Sequence, residues 1–324
     1  MKAFITASGS SLPANVVNNA FLAEKLGLTT EQIFKSTGIR ERRWAARGQT
    51  TSSLAAAALQ NAGIPSDRID YLLFGTMTSD RFIPGAAPAV QSTTGLGEIP
   101  CLDIRAACCS TLYGLQLARA LIVSQTATNV AVCLAEIQSI FLNLTPVAGT
   151  TSMLFGDGAA ALIVSGKEEA GALEIVDVHL ATDGKYVDDL GIRCPGSEFG
   201  TEGEPQDFEP RMNGQSVILQ ASRRMLSASL TVLTRNSLTI EDVSWIVPHQ
   251  ANANLFAQLA RGLGLKDTNK VVSVIEHTGN TSSASMGIAL DNLLRSGRLR
   301  SGEFVLMPAF AAGFTWGAGL CRVH

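Results

Sequence analysis

The chain has 324 residues, of which 46% are hydrophobic and only 16% are charged. This balance is typical of a large globular protein with one or two domains, and it excludes disorder over most of the length. Lysine and arginine number 25 against 28 aspartate and glutamate residues, and the basic residues cluster only at positions 40–43. A nucleic-acid-binding surface is therefore not expected.

No apolar run is long enough to span a membrane, because polar residues interrupt even the stretch 117–135. The first residues also lack the long apolar core of a signal peptide, so the sequence predicts a cytoplasmic protein without membrane insertion. Six cysteines are too few for a disulfide scaffold, and no spacing of cysteines and histidines indicates a zinc site. We expect no metal and no bound cofactor.

Helical and strand-like segments alternate along the chain. Residues 52–61 predict a helix that follows a Ser/Thr cap, and the consecutive apolar residues at 71–75 predict a buried parallel strand. A short strand at 101–104, a helix at 112–123 and a strand at 129–134 follow. This alternation indicates an α/β fold with helices on both faces of a sheet.

Two segments of the first half have counterparts in the second half. Residues 66–74 and 240–248 share a polar turn, a β-branched residue, an aromatic residue and an apolar strand. Residues 102–123 and 271–294 both combine a strand, a turn and a helix. A duplication would explain the length of the chain. The two predicted halves are residues 1–165 and 166–324.

Cys108 lies between a predicted strand and an apolar helix. A thiol at a helix N-terminus feels the positive end of the helix dipole, which lowers its pKa toward that of a reactive thiolate. The small residues Ala106 and Ala107 leave room for a substrate. A buried cysteine that packs as a small hydrophobic residue is the alternative. The neighbouring Cys109 should point away from any site that Cys108 faces.

Two polar residues of the second half are further candidates. His249 follows an apolar strand, where doubly wound folds collect their functional residues, although it could equally be a capping or core histidine. Asn280 lies in a run of small polar residues before a predicted helix, and such a run is often a turn with an N-cap. Residues 310–317 combine small and aromatic residues, as in a tight loop that brings backbone close to a ligand. His179 and His277 are interpreted as structural.

Six motifs follow one another over almost the whole chain: TGIRER at 37–42, AAC at 106–108, FGDGA at 155–159, HQAN at 249–252, GNTS at 279–282 and GFTWG at 313–317. Together, in this order and spacing, they resemble the β-ketoacyl-acyl-carrier-protein synthase III family of the thiolase superfamily. The resemblance implies a thiolase-like α/β fold, with duplicated βαβαβαββ halves in a five-layered α-β-α-β-α sandwich. It also implies a homodimer.

Carried over residue by residue, the resemblance assigns three side chains to catalysis. Cys108 matches the nucleophile that takes an acyl group from a thioester, and His249 and Asn280 match the residues that donate hydrogen bonds to the carbonyl of a malonyl thioester. The backbone N–H groups of Cys108 and Ala312 are expected to hold the oxyanion. Loss of CO₂ from the malonyl group gives the carbanion that attacks the acyl group on Cys108. The implied partners are acyl-carrier protein and acyl and malonyl thioesters.

The chain departs from the family pattern at several substrate-binding positions. Gln32 and Ser36 stand where members that use acyl-CoA usually have a Trp and an Arg, and Asn254 replaces a frequent Arg. Ile83 replaces a Phe that limits the acyl chain, and Asn252 completes the set of predicted substrate-binding residues. These changes predict a medium or long acyl donor on acyl-carrier protein in preference to acetyl-CoA.

Basic residues at the mouth of the substrate tunnel would hold the carrier protein. The candidates are Arg223, Arg224 and Arg261, each of which could equally lie on a solvated helix face.

We interpret the sequence as a decarboxylating condensing enzyme of fatty-acid or, preferably, polyketide or specialised lipid synthesis. The nearest alternative is an acyltransferase that does not decarboxylate, or one that joins two carrier-bound acyl chains. A non-catalytic partner subunit would not need the Cys-His-Asn set, and nothing in the sequence indicates the fold of a cysteine hydrolase.

Overall fold

The computed structural model describes all residues from 1 to 324, in which strands and helices alternate as the sequence indicates. The strands are β1 (Phe4–Ser11), β2 (Asn15–Asn18), β3 (Glu41–Trp44), β4 (Tyr71–Gly75), β5 (Cys101–Ile104), β6 (Asn129–Glu136), β7 (Gly158–Ser165), β8 (Leu173–Thr182), β9 (Leu190–Gly191), β10 (Arg211–Met212), β11 (Val243–Ile246), β12 (Phe304–Ala311) and β13 (Thr315–Val323). The helices are α1 (Asn19–Leu26), α2 (Thr30–Thr37), α3 (Thr51–Asn61), α4 (Ala87–Thr94), α5 (Ser110–Val123), α6 (Gly149–Ser152), α7 (Gly214–Arg235), α8 (Ala253–Gly262), α9 (Ile275–Thr278) and α10 (Ser285–Arg295).

The main sheet has nine strands in the order β11-β12-β13-β8-β1-β7-β6-β4-β5. Its two halves meet where β1 pairs with β8 through two residue pairs, Phe4 with Glu174 and Ile5 with Leu173. On each side of this junction the same pattern follows, with two antiparallel pairs and then a parallel pair.

The repeat extends to the outer edge of each half. In the first half β5 pairs in parallel with β4, and in the second half a parallel bridge joins Val271 to Ile246 of β11. The duplicated thiolase-like fold expected from the sequence is therefore confirmed. We infer that the two halves divide in the loop between β7 and β8.

The helices and the two halves of the sheet stack in five layers, and three apolar cores lie between these layers. The central core packs α5 and α10 between the two halves and includes Leu112 and Ile288. A second core packs α3 and α4 on the outer face of the first half, around the fully buried Phe74. A third core packs α7 and α8 on the outer face of the second half, around Met225 and Leu306. Burial of these apolar side chains supplies the main driving force for folding.

Local sequence explains where several helices begin and end. α3 begins with a capping box formed by Thr50 and Ser53, as its Ser/Thr-rich start predicts. α5 begins two residues earlier than predicted, after a short 3₁₀ turn at Ala107–Cys109. α2 ends at Gly38, whose φ of 73° and close approach to Ala253 leave no space for a side chain.

The longest helix, α7, has 22 residues and was not singled out in the sequence. It covers the second half of the sheet on its outer face. Neither this helix nor any other combines the length and the apolar sequence that crossing a membrane requires.

Candidate active site

A cavity of about 600 Å³ is lined by residues from both halves of the chain. Cys108 of the first half faces it, together with His249, Asn280 and Ala312 of the second half. The structure thus brings together residues that the sequence analysis selected from separate motifs. A largely apolar cavity with a few converging polar groups is typical of a small-molecule site.

Cys108 lies in the 3₁₀ turn that leads into α5. The preceding Ala107 has a φ of 46°, a left-handed conformation that turns the chain sharply between β5 and the helix. The Cys108 sulfur lies 3.5 Å from the hydroxyl oxygen of Ser282. Cys109 points the other way, and its sulfur lies 3.5 Å from the carbonyl oxygen of Thr315 in the core. Cys108 is therefore the cysteine of this pair that faces the cavity.

The expectation that the helix N-terminus lowers the pKa of the Cys108 thiol is wrong. Burial raises the pKa of the Cys108 thiol to about 12, and the nearby Glu136 acts in the same direction, although the hydrogen bond with Ser282 opposes both. Removing a charged sulfur from water costs more than the end of one helix provides. The thiol is therefore protonated in the resting protein.

His249 follows β11 and is 4% exposed. The backbone N–H of His249 donates to the carbonyl of Pro308 at 2.9 Å, which extends the pairing of β11 with β12 as far as the cavity. Burial lowers the pKa of His249 to about 3, so the imidazole is neutral at physiological pH. Nδ1 lies 2.7 Å from the hydroxyl of Ser285, which leaves Nε2 as the ring nitrogen available to a ligand.

Asn280 is fixed by its backbone against the loop that precedes β7. Its N–H donates to Leu154 at 2.9 Å, and its carbonyl accepts from the N–H of Gly156 at 3.0 Å. The side-chain Oδ1 accepts from the N–H of Ser282 at 2.9 Å. Because Oδ1 is occupied, the Nδ2 group is the part of the amide that remains to donate to a ligand.

Ala312 lies in the turn between β12 and β13, and it lines the cavity beside Phe310. Its backbone therefore borders the same space as Cys108, where the sequence predicts the oxyanion donors. No three His, Cys, Asp or Glu side chains of the chain converge in a way that could hold a metal ion.

Three of the predicted substrate-binding residues, Ser36, Asn252 and Asn254, line the exposed end of the cavity. Nδ2 of Asn254 donates to the carbonyls of Lys35 and Ser36 at 3.2 and 3.0 Å, and Nδ2 of Asn252 donates to Ser36 at 2.9 Å. These bonds join the start of α8 to the end of α2. Gln32 does not line the cavity, because its side chain accepts from the N–H of Thr29 in the capping box of α2.

Ile83 is placed outside the cavity of its own chain. Its side chain is 78% exposed, whereas the neighbouring Phe82 is one of the lining residues. The contacts within one chain thus give Ile83 no role in holding an acyl group.

The three arginines proposed for the carrier protein differ in their surroundings. Arg224 stacks on Trp316 with 4.2 Å to the ring centre and pairs with Asp183 at 3.4 Å, so its charge is already used within the protein. Arg223 on α7 and Arg261 on α8 are exposed and form no ion pair. Both of these helices also contribute residues to the cavity lining.

Glu136, a fully buried carboxylate at the end of β6, was not predicted from the sequence. It accepts hydrogen bonds from the N–H of Met77 at 3.1 Å and from the hydroxyl of Thr78 at 2.9 Å, but it forms no salt bridge. Burial raises the pKa of Glu136 to about 7. The available signal was an acidic residue that ends an otherwise uncharged apolar strand.

Comparison with known proteins agrees with this arrangement. A family profile described as 3-oxoacyl-[acyl-carrier-protein (ACP)] synthase III C terminal matches residues 233–323. A second profile, described as 3-oxoacyl-[acyl-carrier-protein (ACP)] synthase III, matches residues 102–184. The two profiles include the positions of Cys108, His249, Asn280 and Ala312.

Similar proteins extend over the whole chain. The β-ketoacyl-[acyl-carrier-protein] synthase III of Chlamydia caviae is 37% identical and covers 99% of this chain and 97% of its own. The protein of the same name from Rhodospirillum rubrum is 38% identical and covers 99% of both chains.

Solved structures give the same result. The 3-oxoacyl-[acyl-carrier-protein] synthase III of Aquifex aeolicus superposes with a TM-score of 0.90 at 31% identity, over 99% of this chain and 100% of its own. The priming β-ketosynthase of the R1128 polyketide pathway superposes with a TM-score of 0.89 at 30% identity, over 99% of this chain and 96% of its own. The chain belongs to the β-ketoacyl-acyl-carrier-protein synthase III family.

Proposed function

We propose that the protein is an acyltransferase that loads an acyl group onto Cys108 and condenses it with a malonyl thioester, with loss of CO₂. The observation that carries this proposal is that Cys108, His249 and Asn280 line one cavity, with Nε2 of His249 and Nδ2 of Asn280 not hydrogen-bonded to the protein. A partner subunit without activity would have no use for this arrangement. The reaction needs no cofactor beyond the thioesters themselves.

The first half-reaction is acyl transfer. The Cys108 sulfur forms a bond to the thioester carbonyl carbon, the original carbon–sulfur bond breaks, and the proton of the Cys108 thiol leaves with the departing thiol. The N–H groups of Cys108 and Ala312 border the cavity and hold the oxyanion of the tetrahedral intermediate.

The second half-reaction is decarboxylative condensation. His249 and Asn280 donate hydrogen bonds from Nε2 and Nδ2 to the thioester carbonyl of the malonyl group, which stabilises the enolate formed as CO₂ leaves. The enolate carbon attacks the acyl group on Cys108, the carbon–sulfur bond to Cys108 breaks, and a β-ketoacyl product is released. The Cys108 sulfur leaves as a thiolate and takes a proton from water, which restores the thiol.

Fatty-acid synthesis is the pathway that the relatives favour. Both relatives described above carry the name β-ketoacyl-[acyl-carrier-protein] synthase III, so this pathway fits better than the specialised one that the departures in the sequence suggested. The similarity to the R1128 priming ketosynthase supports polyketide synthesis as the second candidate. All six cysteines are free thiols, which fits a reaction in the reducing cytoplasm.

The acyl donor is a medium or long chain carried by acyl-carrier protein. The mostly apolar cavity of about 600 Å³ accommodates a pantetheine arm together with an acyl chain. At its exposed end, Ser36 and Asn254 provide no positive charge for the phosphates of CoA, and the arginines of the cavity lining are Arg81 and Arg105. Arg223 and Arg261, on two helices that border the cavity, are exposed cations without an ion pair and attract the acidic carrier.

A panel of thioesters tests the activity and the donor together. Intact-protein mass spectrometry after incubation with acetyl-CoA, octanoyl-CoA and octanoyl-carrier protein should show an added acyl mass that is absent in Cys108→Ala. We expect kcat/KM to be highest for the octanoyl-carrier protein. Equal or better use of acetyl-CoA would contradict the donor, and no acylation by any thioester would contradict the activity.

Charge reversal tests the carrier surface. Arg223→Glu and Arg261→Glu should each raise KM for the carrier-bound donor several-fold and leave kcat nearly unchanged, because a surface charge acts mainly on encounter. Arg68→Glu is the matched control, since Arg68 is exposed just before β4, at the opposite end of that strand from the site. An equal effect of all three changes would show that only net charge matters.

The proposal includes a homodimer formed through β5. This strand is the edge of the sheet, its Leu102 is 45% exposed, and Phe82 and Ile83 are also highly exposed. An open edge with apolar side chains favours pairing with another strand, and a twofold axis lets two copies of β5 pair antiparallel. Leu102→Lys should therefore shift the protein to a monomer in analytical ultracentrifugation, whereas Leu230→Lys on α7, at a residue 48% exposed, should not.

A further inference from the structure

Ser282 contacts the nucleophilic sulfur directly. Its hydroxyl oxygen lies 3.5 Å from the sulfur of Cys108, its side chain is 4% exposed, and the structure gives this hydroxyl no other hydrogen-bond partner. We propose that Ser282 is a further catalytic residue, whose hydroxyl donates a hydrogen bond to the Cys108 sulfur as negative charge develops on it. The inference rests on Cys108 being the nucleophile of the proposed function.

The surroundings of the thiol make such a donor necessary. The half-buried Cys108 thiol, within the electrostatic reach of the Glu136 carboxylate, resists ionisation, so stabilisation of the attacking sulfur by a nearby donor favours the reaction. His249 is not available as the base. Its Nδ1, the nitrogen able to accept a proton, is bonded to Ser285, and its pKa is lowered by burial. Ser282 is the polar side chain that remains next to the sulfur.

The backbone of Ser282 is an independent observation. Its φ of 47° lies in the left-handed region, which residues other than glycine rarely adopt and which is common where function requires a fixed geometry. The same residue donates its N–H to Oδ1 of Asn280 at 2.9 Å. Ser282 thus holds its hydroxyl toward Cys108 and its N–H toward Asn280 in one strained conformation.

Ala107 and Ser282 occupy equivalent positions in the two halves. Ala107 has a φ of 46° and is the first residue of the short turn that leads into α5. Ser282 has a φ of 47° and is the first residue of the short turn that leads into α10. The two central helices therefore start beside each other, and the hydroxyl of Thr111 donates to the carbonyl of Ser283 at 3.0 Å across this contact. The positive ends of both helices add to the stabilisation that the Ser282 hydroxyl gives the sulfur.

In this role Ser282 keeps its own proton. The proton of the Cys108 thiol leaves with the departing thiol, and the hydroxyl of Ser282 only shortens and strengthens its hydrogen bond as the sulfur becomes negative. The residue therefore acts on the first half-reaction, in which the sulfur attacks, and not on the loss of CO₂.

Alkylation of the thiol provides the test. Iodoacetamide reacts with the thiolate, so the rate of Cys108 alkylation between pH 7 and 9, followed by peptide mass spectrometry, reports changes in the thiolate fraction and hence in the apparent pKa of this thiol without any acyl substrate. Ser282→Gly removes the hydroxyl and accepts the left-handed backbone, and Ser282→Ala removes the hydroxyl with the Cβ retained. Thr281→Val is the matched control, because the Thr281 hydroxyl is buried without a hydrogen-bond partner.

We expect both Ser282 variants to raise the apparent pKa by about one unit, which lowers alkylation near neutral pH about tenfold, and to slow acyl loading by a similar factor. CO₂ release from a malonyl thioester should stay within about threefold of the wild-type rate, because Gly and Ala retain the N–H that holds Asn280.

An unchanged alkylation profile in both variants would overturn the proposal. A shift in Ser282→Ala without one in Ser282→Gly would assign the effect to backbone strain, and an equal shift in Thr281→Val would assign it to the turn as a whole. Each of these results stands apart from the proposed function, which fails if Cys108→Ala retains acyl loading or if no thioester acylates the protein.

Discussion

The hydroxyl of Ser285 decides which nitrogen of His249 carries the proton. Its Oγ accepts from the backbone N–H of Gln250 at 3.2 Å and lies 2.7 Å from Nδ1 of His249. Because Ser285 is buried and no other acceptor is present, its single hydroxyl hydrogen points to Nδ1. The neutral imidazole then carries its proton on Nε2, where it can donate to a ligand in the cavity.

Removal of the Ser285 hydroxyl should therefore impair the second half-reaction. Ser285→Ala frees Nδ1 to take the proton, and we expect CO₂ release to fall about 10²-fold while acyl loading changes only a few-fold. With four histidines in the chain, NMR of ¹⁵N-histidine-labelled protein can identify the tautomer directly. Ser285→Thr, which retains a hydroxyl, should keep the wild-type tautomer. Persistence of that tautomer and of full CO₂ release in Ser285→Ala would remove Ser285 from this role.

The two adjacent cysteines should respond differently to substitution. Cys108→Ala should abolish acyl loading and product formation, because Cys108 faces the cavity and Cys109 does not. Cys109→Ala removes a sulfur that packs in the core, so it should lower stability by about 1 kcal/mol and retain loading. Intact-protein mass spectrometry distinguishes the two. An acyl adduct that survives in Cys108→Ala and disappears in Cys109→Ala would reverse the assignment.

Much of the fold was predictable because buried strands and capped helices leave local signals. The apolar residues of β4 and the Ser/Thr-rich start of α3 identify their elements without reference to the rest of the chain. The similarity between residues 66–74 and 240–248 also predicted the duplication, and β4 and β11 occupy equivalent places in the sheet. The meeting of Cys108, His249 and Asn280 in one cavity follows from this repeat.

What the sequence could not show depends on contacts between distant segments. The partner of His249 is a serine 36 positions away, and serine has no pattern that predicts this contact. The pKa of Cys108 was misjudged because the helix end is a local feature, whereas burial depends on the whole fold. Gln32 was interpreted from a family position, but its side chain is used in the cap of its own helix.

The free energy of unfolding should depend on pH through the ionisation of Glu136. Its pKa is raised in the folded state, so between about pH 4.5 and 7 the folded protein holds more protons at this position than the unfolded chain does. Its contribution to the free energy of unfolding therefore falls as the pH rises through that range. The variant Glu136→Gln has no carboxylate to ionise at this position. Its free energy of unfolding, compared with that of wild type, should therefore increase from pH 5 to pH 7 and then level off.

Urea unfolding at pH 5, 6, 7 and 8 measures the difference. Its total change should not exceed about 3 kcal/mol, since one pKa unit corresponds to about 1.4 kcal/mol. His249 titrates with the opposite sign, but it is present in both proteins and cancels in the comparison. Glu241→Gln, at an exposed position, is the control. A difference that is flat with pH would contradict a raised pKa for Glu136.

Asn280→Asp should separate the two half-reactions more sharply than a substitution that removes the amide side chain. Aspartate has the shape of asparagine, and one carboxylate oxygen can still accept from the N–H of Ser282, so the geometry of the turn is retained. The second oxygen, however, replaces the Nδ2 donor and places a negative charge beside the enolate that forms as CO₂ leaves. Acyl loading of Cys108 does not use Nδ2 and should continue.

We expect Asn280→Asp to release CO₂ at least about 10²–10³-fold more slowly than wild type, the loss typical of removing one oxyanion donor. Acyl loading should slow less, by about tenfold, because the new carboxylate opposes negative charge on the Cys108 sulfur as Glu136 does. CO₂ release from a malonyl thioester and the acyl mass on Cys108 measure the two steps separately. Asn269→Asp, at an exposed position outside the cavity, controls for the added charge. If acyl loading were lost together with CO₂ release, Asn280 would serve the thiol as well as the malonyl carbonyl, and the division of labour between Ser282 and Asn280 would be wrong.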